Sequence, residues 1–301
     1  MQKSLVLICL LTISAASSFS QPGDFPVLQG PYLGQKPPGL TPEVFAPGII
    51  STPAHEFSCC FTPDGKEFYF TRHESNLNQK VIMVTKLRDG AWTKPEVVPF
   101  VENQFSFEPL VTPDNRRLYF SSGKPIPGQP GPPMNTLYVD REGDGWSIAK
   151  NPGPPFNPAQ TMYVSVASNG TIYTTDISEG PGKEKVAMMK KTNNRYEKLE
   201  RLGPPINGET QAMYPFIAPD ESYLIFGSKK PAENANDVLL ISFKKPDGGW
   251  SEPRLIDLGI TAGLPFVTSD GKFLFFTGGE RGKSDIYWVS AKFIDELRPK
   301  E

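Results

Sequence analysis

The chain has 301 residues, 38% of them hydrophobic, with 32 prolines and 27 glycines. That is apolar enough for a sizeable core, and the composition suits many short strands and turns. Its 31 basic and 33 acidic residues give a formal net charge of −2, which argues against nucleic acid or an anionic membrane as the main partner. The length would allow two domains, but all-β folds of this size often form one.

Residues 1–20 read as an export signal. Lys3 supplies the positive start, Leu5 to Ile13 the apolar core, and Ser18-Phe19-Ser20 a small-x-small cleavage site before Gln21. The apolar run is too short for a membrane span, and no later stretch is apolar enough, so no membrane insertion is expected. Cys9 follows Leu-Val-Leu-Ile inside the apolar core, which does not fit a lipoprotein site. The mature protein is expected in the periplasm or secreted. Cleavage would leave 30 basic against 33 acidic residues.

Residues 21–40 are rich in Pro and Gly and read as a linker. From Thr41 the segment TPEVFAPGII resembles the later fourth strands, although it precedes the first repeat. Five strand–turn–strand segments then follow: FTPDGKEFYF from Phe61, VTPDNRRLYF from Val111, VASNGTIYT from Val166, IAPDESYLIF from Ile217 and VTSDGKFLFF from Val267. Their turn residues Asp64, Asp114, Asn169, Asp220 and Asp270 are 50, 55, 51 and 50 apart. Pro, Asp, Asn and Gly supply the turn, with aromatic and β-branched residues on either side. A third strand follows in each unit, beginning near Val81, Thr136, Val186, Val238 and Asp285, and a fourth follows in four of them as GAWTKPEVV, GWSIAK, NRYEKLERL and GWSEPRLI. The fifth unit lacks its fourth strand, and the Thr41 segment is expected to complete it. The expectation is therefore an all-β, five-bladed β-propeller of four-stranded antiparallel blades spanning 41–301, closed by an N-terminal strand in the last blade.

The repeated T-P-D-G turn, with a hydrophobic-aromatic strand after it and D-I-Y later in the unit, resembles the WD40-like repeat of TolB-type propellers from Pro42 to about Ile294. The third copy departs most, with Ser-Asn-Gly in place of Pro-Asp-Gly. The resemblance implies the fold. It leaves function open, because that superfamily includes partner-binding modules, lyases and gating domains of peptidases.

Inner strands line the channel of a propeller. Counting back six residues from each turn residue places Ser58, Glu108, Tyr163, Tyr214 and Leu264 in one ring; counting forward along the second strand gives Arg72, Ser122, Asp176, Ser228 and Gly278. Both histidines fall in the first hairpin, at its opposite ends along the chain, in the cluster His55, Glu56, Arg72, His73 and Glu74; the first strand starts and the second ends on the same side of the blade, so the cluster is expected to converge there. With Glu108, Tyr163, Tyr214 and Asp176 these form the candidate ligand-binding set: Arg for a carboxylate, Glu for hydroxyls, Tyr for stacking. The same residues read more simply as channel lining and a solvated loop. The favoured function is a non-catalytic binding module for a partner protein, peptide or glycan at the channel mouth. The alternative is a carbohydrate-active hydrolase or lyase using Glu56, Glu108 or Asp176 with Arg72 or His73, which needs two carboxylates in one pocket within roughly ten ångströms.

Two histidines and two mature cysteines make a zinc site unexpected, and no cofactor or metal is expected. No nucleophile elbow or phosphate loop appears. The turn aspartates are one per blade, which suits turn stabilisation, not calcium. Asn169-Gly170-Thr171 matches a glycosylation pattern but occupies a turn. Trp92, Trp146, Tyr196 and Trp250 recur at the start of fourth strands and are expected to pack between blades. Cys59 and Cys60 point to opposite faces of a strand and are expected as separate, partly buried thiols, with a vicinal disulfide as the alternative. A closed propeller exposes no long edge, so a monomer is expected.

Overall fold

A computed structural model describes residues 25–74, 79–101, 105–123, 134–157, 159–208, 210–229, 237–280 and 283–300. The signal segment, with Cys9, lies outside the described residues. Five small antiparallel sheets form a ring, a five-bladed propeller. Blade 1 runs outward from His55–Phe61 through Glu67–Glu74 and Gln79–Arg88 to Glu96–Val97. The inner strands of the other blades are Ser106–Val111, Thr161–Val166, Met213–Ile217 and Ala262–Val267.

Blade 5 is completed from the other end of the chain. Glu43–Val44 pairs with Lys283–Ser290, setting Glu43 opposite Trp288 and Val44 opposite Tyr287. The next residue, Phe45, donates its N–H to Ile286 O at 2.8 Å and buries its ring completely. The expected ring closure is what the chain adopts.

The turns are held as their composition demands. In blades 1, 2 and 5 a threonine hydroxyl donates to the turn aspartate at 2.6 Å, in the pairs Thr62–Asp64, Thr112–Asp114 and Thr268–Asp270. Each of these aspartates also accepts the backbone N–H two residues on, from Lys66, Arg116 and Lys272. Asp220 and Asn169 accept the equivalent N–H without the threonine. Burial raises the pKa of Asp114 and Asp270, but these hydrogen bonds outweigh it and hold both below the usual carboxylate value. Asn169 uses Oδ1 on Thr171 N and Nδ2 on Glu221, so its side chain is part of the turn.

Fourth strands break into two short pieces rather than running on. In blade 1, Ala91–Trp92 pairs with Leu87 and Arg88, and only after Thr93 does Glu96–Val97 return to Met83 and Val84. Thr85 Oγ1 donates to Thr93 O at 2.6 Å while Thr93 Oγ1 accepts Lys86 N. Ser242 and Ser251 repeat the device in blade 4. Pro95, which has no N–H to give a ladder, sits in the break.

The outer aromatics do bridge blades. Trp146 Nε1 donates to Tyr69 OH at 2.7 Å from blade 2 to blade 1, Tyr196 meets Tyr119 at 3.4 Å between hydroxyls, and Trp250 meets Tyr173 edge-on at 6.5 Å. Trp92 instead donates Nε1 to Gly30 O at 2.7 Å. The proline- and glycine-rich stretch, from residue 25 on, lies in the groove between blades 5 and 1, with Leu33 fully buried and the Tyr32 ring 5.0 Å from Phe273 and 5.5 Å from Phe61.

Cys59 and Cys60 are free and both buried, at 3% and 0% exposure. They face Phe70 and Tyr69 in the ladder and are more deeply enclosed than the sequence suggested. Burial pushes the Cys60 thiol up to about 12, so little thiolate exists to react. Native protein is expected to resist an aromatic disulfide reagent, with two thiols released only on unfolding. Fast labelling of either in the native state would contradict this packing.

Candidate functional site

The five ring positions share a conformation that the repeat does not announce. Ser58, Glu108, Tyr163, Tyr214 and Leu264 all adopt left-handed φ values, from 46° to 59°, and the ladder shifts register there in every blade. Each is a bulge that turns one residue of the inner strand towards the axis. A left-handed non-glycine residue costs on the order of 1 kcal/mol, so the repetition calls for something that holds it. The backbone N–H of Ser58 donates to Thr277 Oγ1 of the preceding blade at 3.0 Å, that of Glu108 to Thr71 at 3.0 Å, and that of Tyr214 to Thr175 at 2.8 Å. These threonines latch blade 5 to blade 1, blade 1 to blade 2 and blade 3 to blade 4.

Blade 2 replaces the latch threonine with Ser121, and Glu108 fills the gap. Its Oε2 accepts the Ser121 hydroxyl at 2.8 Å and the Tyr163 N–H at 3.0 Å. The carboxyl is 4% exposed. Burial raises its pKa from 4.5 to about 7, against these hydrogen bonds and the charge of Lys80. Tyr163 then crosses the channel and donates its hydroxyl to Pro265 O of blade 5 at 2.6 Å. Tyr214 packs edge-on against it, ring centres 5.6 Å apart. Glu108, Tyr163 and Tyr214 therefore do come together, as a plug across the channel in which Glu108 and Tyr163 are buried and Tyr214 partly so.

The blade 1 cluster sits at the end of the inner strand away from the turn. His55 pairs with His73 and Glu56 with Arg72 across the hairpin. Glu56 is fully buried. It accepts Arg72 Nε at 2.7 Å, Thr52 Oγ1 at 2.7 Å and Thr52 N at 3.1 Å, while Arg72 also donates to Ile50 O at 3.3 Å. This ion pair fastens the segment that links the closing strand to blade 1, so Glu56 and Arg72 are withdrawn from any ligand. Asp176, 5% exposed in blade 3, is likewise engaged: Ser178 N at 2.9 Å and Arg201 Nε at 2.6 Å. Burial opposes, but those partners keep its pKa low.

His55 and His73 remain half-exposed, their rings 5.9 Å apart. Nδ1 of His55 accepts Ser284 N–H at 3.3 Å and meets Ser284 Oγ at 2.6 Å, placing the ring proton on Nε2. Burial lowers the pKa of His55, leaving it neutral at pH 7. Asp285 lies beside it, its pKa raised by burial. Lys80 links this cluster to the channel: opposite His73 in the ladder, its Nζ stands 5.2 Å from the Phe107 ring and 5.7 Å from that of Phe57. Ser106, at the start of blade 2's inner strand, has a buried hydroxyl with no partner among the described residues. Sequence reasoning missed Lys80, Ser284, Asp285 and Ser106, which occur at strand ends where the repeats differ.

Open grooves of about 830, 550 and 270 Å³ lie between blades 2 and 3, 3 and 4, and 1 and 2. None is lined by the eight candidate residues. Among the described residues no three His, Cys, Asp or Glu side chains group as a metal site, and no helix is long and apolar enough to cross a membrane.

No protein family matches the chain by sequence profile, and no curated protein matches it. Solved structures do. TolB from Acinetobacter baumannii superposes with a TM-score of 0.51 at 14% identity, over 81% of this chain and 59% of that one. The likeness is one of fold. The catalytic domain of a Coprinopsis cinerea GH62 alpha-L-arabinofuranosidase gives 0.50 at 9% identity over 84% of this chain and 97% of that one. A thermostable family-43 glycoside hydrolase gives 0.50 at 13% identity, over 80% and 90%. The TolB resemblance of the repeat thus has its counterpart in three dimensions, and the chain spans about three fifths of that TolB's length.

Proposed function

We propose that the chain is an exported, non-catalytic binding module, periplasmic or secreted, that takes a partner protein, peptide or glycan at the channel mouth around His55, His73, Lys80 and Ser106. The pattern of residues 1–20 supports export. The observation that carries the binding reading is that Glu56, Glu108 and Asp176 are each engaged, through at least one carboxylate oxygen, by different neighbours. Glycoside hydrolysis by the usual route needs a pair of carboxylates in one cavity, and these three share no partner and line none of the grooves. What the mouth offers is a cation over two aromatic rings, a neutral imidazole and an unpartnered hydroxyl, which suit recognition.

One feature favours a glycoside hydrolase as a second reading. Glu108, with a pKa near 7, has the protonation of a general acid. Its oxygen is nevertheless turned to Ser121 and the Tyr163 N–H, beneath the tyrosine plug.

A thermal-shift screen of the chain from Gln21 onward, against short peptides, neutral glycans and sugar acids, tests the site. A ligand that binds only the folded state raises the melting temperature. The expected hit weakens at least about tenfold in Lys80→Ala. A hit unaffected by Lys80→Ala and His73→Ala would place binding elsewhere and sink the mouth as the site.

A further inference from the structure

Strand pairing sets three basic side chains side by side at the channel mouth. His55 stands opposite His73 and His73 stands opposite Lys80, so the three form one row across the first three strands of blade 1. Directly opposed residues share a face of the sheet, and their neighbours along each strand point to the other face. Glu56, Arg72 and Glu74 therefore belong to that other face, where Glu56 and Arg72 neutralise each other at 2.7 Å. The alternation separates the row from the carboxylates at its own end of the blade.

The row has donors to spare and few acceptors. Lys80 Nζ rests over the Phe107 and Phe57 rings, which attract a cation without neutralising it, and it has no ion-pair partner among the described residues. The His55 ring, stacked on Phe57 at 5.3 Å, uses Nδ1 on Ser284 and leaves its Nε2–H without an acceptor among the described residues. The His73 ring has no hydrogen bond among them either. Asp285 of blade 5 lies beside His55 but is held by the Ser51 hydroxyl, and Glu108, which feels the Lys80 charge, is capped by Ser121 and Tyr163 N. Burial lowers the pKa of His55, and the charges of His73 and Lys80 press it down further. Like charges set directly opposite each other destabilise a sheet, and all three side chains of this row remain partly exposed.

We propose that the row of His55, His73 and Lys80 binds a free carboxylate, carried by a peptide C-terminus or a sugar acid; the inference rests on the channel-mouth reading and narrows it. One carboxylate oxygen takes Lys80 Nζ and the other a ring N–H of His55 or His73, charge-assisted hydrogen bonds that a neutral ligand cannot match. The anion offsets the repulsion within the row, so ligand binding and proton uptake by the two rings support each other.

The test is calorimetric titration of the chain from Gln21 onward with two matched pairs at low salt. One pair is N-acetyl-dialanine and its C-terminal amide, and the other is methyl galacturonoside and methyl galactoside. At least one acid is expected to bind saturably, at least about tenfold tighter than its neutral partner, and the pair that does so identifies the source of the carboxylate. Its affinity should fall with salt and rise from pH 8 to pH 6. The acids stay ionised over that range, so the rise reports the protein, and His73→Gln should diminish it. Lys80→Ala should cost at least about tenfold, whereas Lys190→Ala, on the lining of the groove between blades 3 and 4, should cost nothing. Unaltered melting confirms the fold of each variant. No saturable binding of either acid, or acid binding that does not strengthen as pH falls, would overturn the proposal. Acid and neutral partner binding equally, and both lost in Lys80→Ala, would overturn the carboxylate and leave the mouth as the site. Acid binding indifferent to Lys80→Ala would overturn both.

Discussion

Glu108→Gln is expected to make the protein more stable above pH 7 and to leave it nearly unchanged at pH 5. The carboxyl is buried and its pKa is raised from 4.5 to about 7. The folded state therefore holds a proton that the unfolded state has lost between those values. The stability this contributes is full below pH 4.5 and is lost as pH rises through about 7, by roughly 3 kcal/mol in all. Glutamine reproduces the protonated acid: its oxygen can accept from Ser121 and Tyr163 N as Oε2 does. Glu108→Ala leaves both donors buried and unpaired and opens a cavity, for a loss of about 2–4 kcal/mol at pH 5. His55 acts in the opposite sense, since burial lowers its pKa; its contribution is full above 6.5 and lost as pH falls through its folded value. Urea melts of wild type and Glu108→Gln at several pH values separate the two, because only the difference between the proteins reports Glu108. A constant difference across pH 4.5–8 would contradict the buried carboxyl.

Phe45→Ala should cost about 3–5 kcal/mol. The ring is fully buried and stands 5.0–5.1 Å from Phe275, Phe68 and Trp288, so one side chain joins the closing strand to blades 5 and 1. The expected result is a lower urea midpoint at an unchanged slope. Ile148→Ala, at an 82% exposed position, should stay within about 0.5 kcal/mol of wild type. A loss below about 1 kcal/mol for Phe45→Ala would mean that Glu43–Val44 does not close the ring.

The ring of blades was legible because each carries the same instruction: a turn aspartate or asparagine every fifty-odd residues, a hydrophobic strand on each side, and one orphan strand before the first unit. Counting from the turns also located the five inward residues. Their left-handed backbone was not legible, because it depends on the neighbouring blade. A trace of it was present, since Thr71, Ser121, Thr175 and Thr277 recur at equivalent second-strand positions, and the three threonines accept the bulge N–H groups. What sequence periodicity cannot carry is what occurs once. Tyr163 reaches across to Pro265 in one blade alone, and Ser121 and Gly227 stand where the other blades carry the latch threonine. The segment from Leu28 to Gln35 reads as linker by composition, yet it packs as a wedge because the hairpin aromatics of blades 5 and 1 leave room for Tyr32. The residues of the charged cluster at His55 do meet across the first hairpin, His55 beside His73 and Glu56 beside Arg72. Its apparent reactivity dissolved because Glu56 and Arg72 neutralise each other.

The most direct test of the account is turnover. The chain from Gln21 onward would be incubated with an aryl α-L-arabinofuranoside and with arabinoxylan between pH 5 and 8, beside Glu56→Gln, Glu108→Gln and Asp176→Asn. No release above buffer is expected from any of the four, with wild type and Glu108→Gln both folded. Turnover by the wild type that disappears in a folded Glu108→Gln would show the buried carboxyl to be catalytic and the binding reading to be wrong.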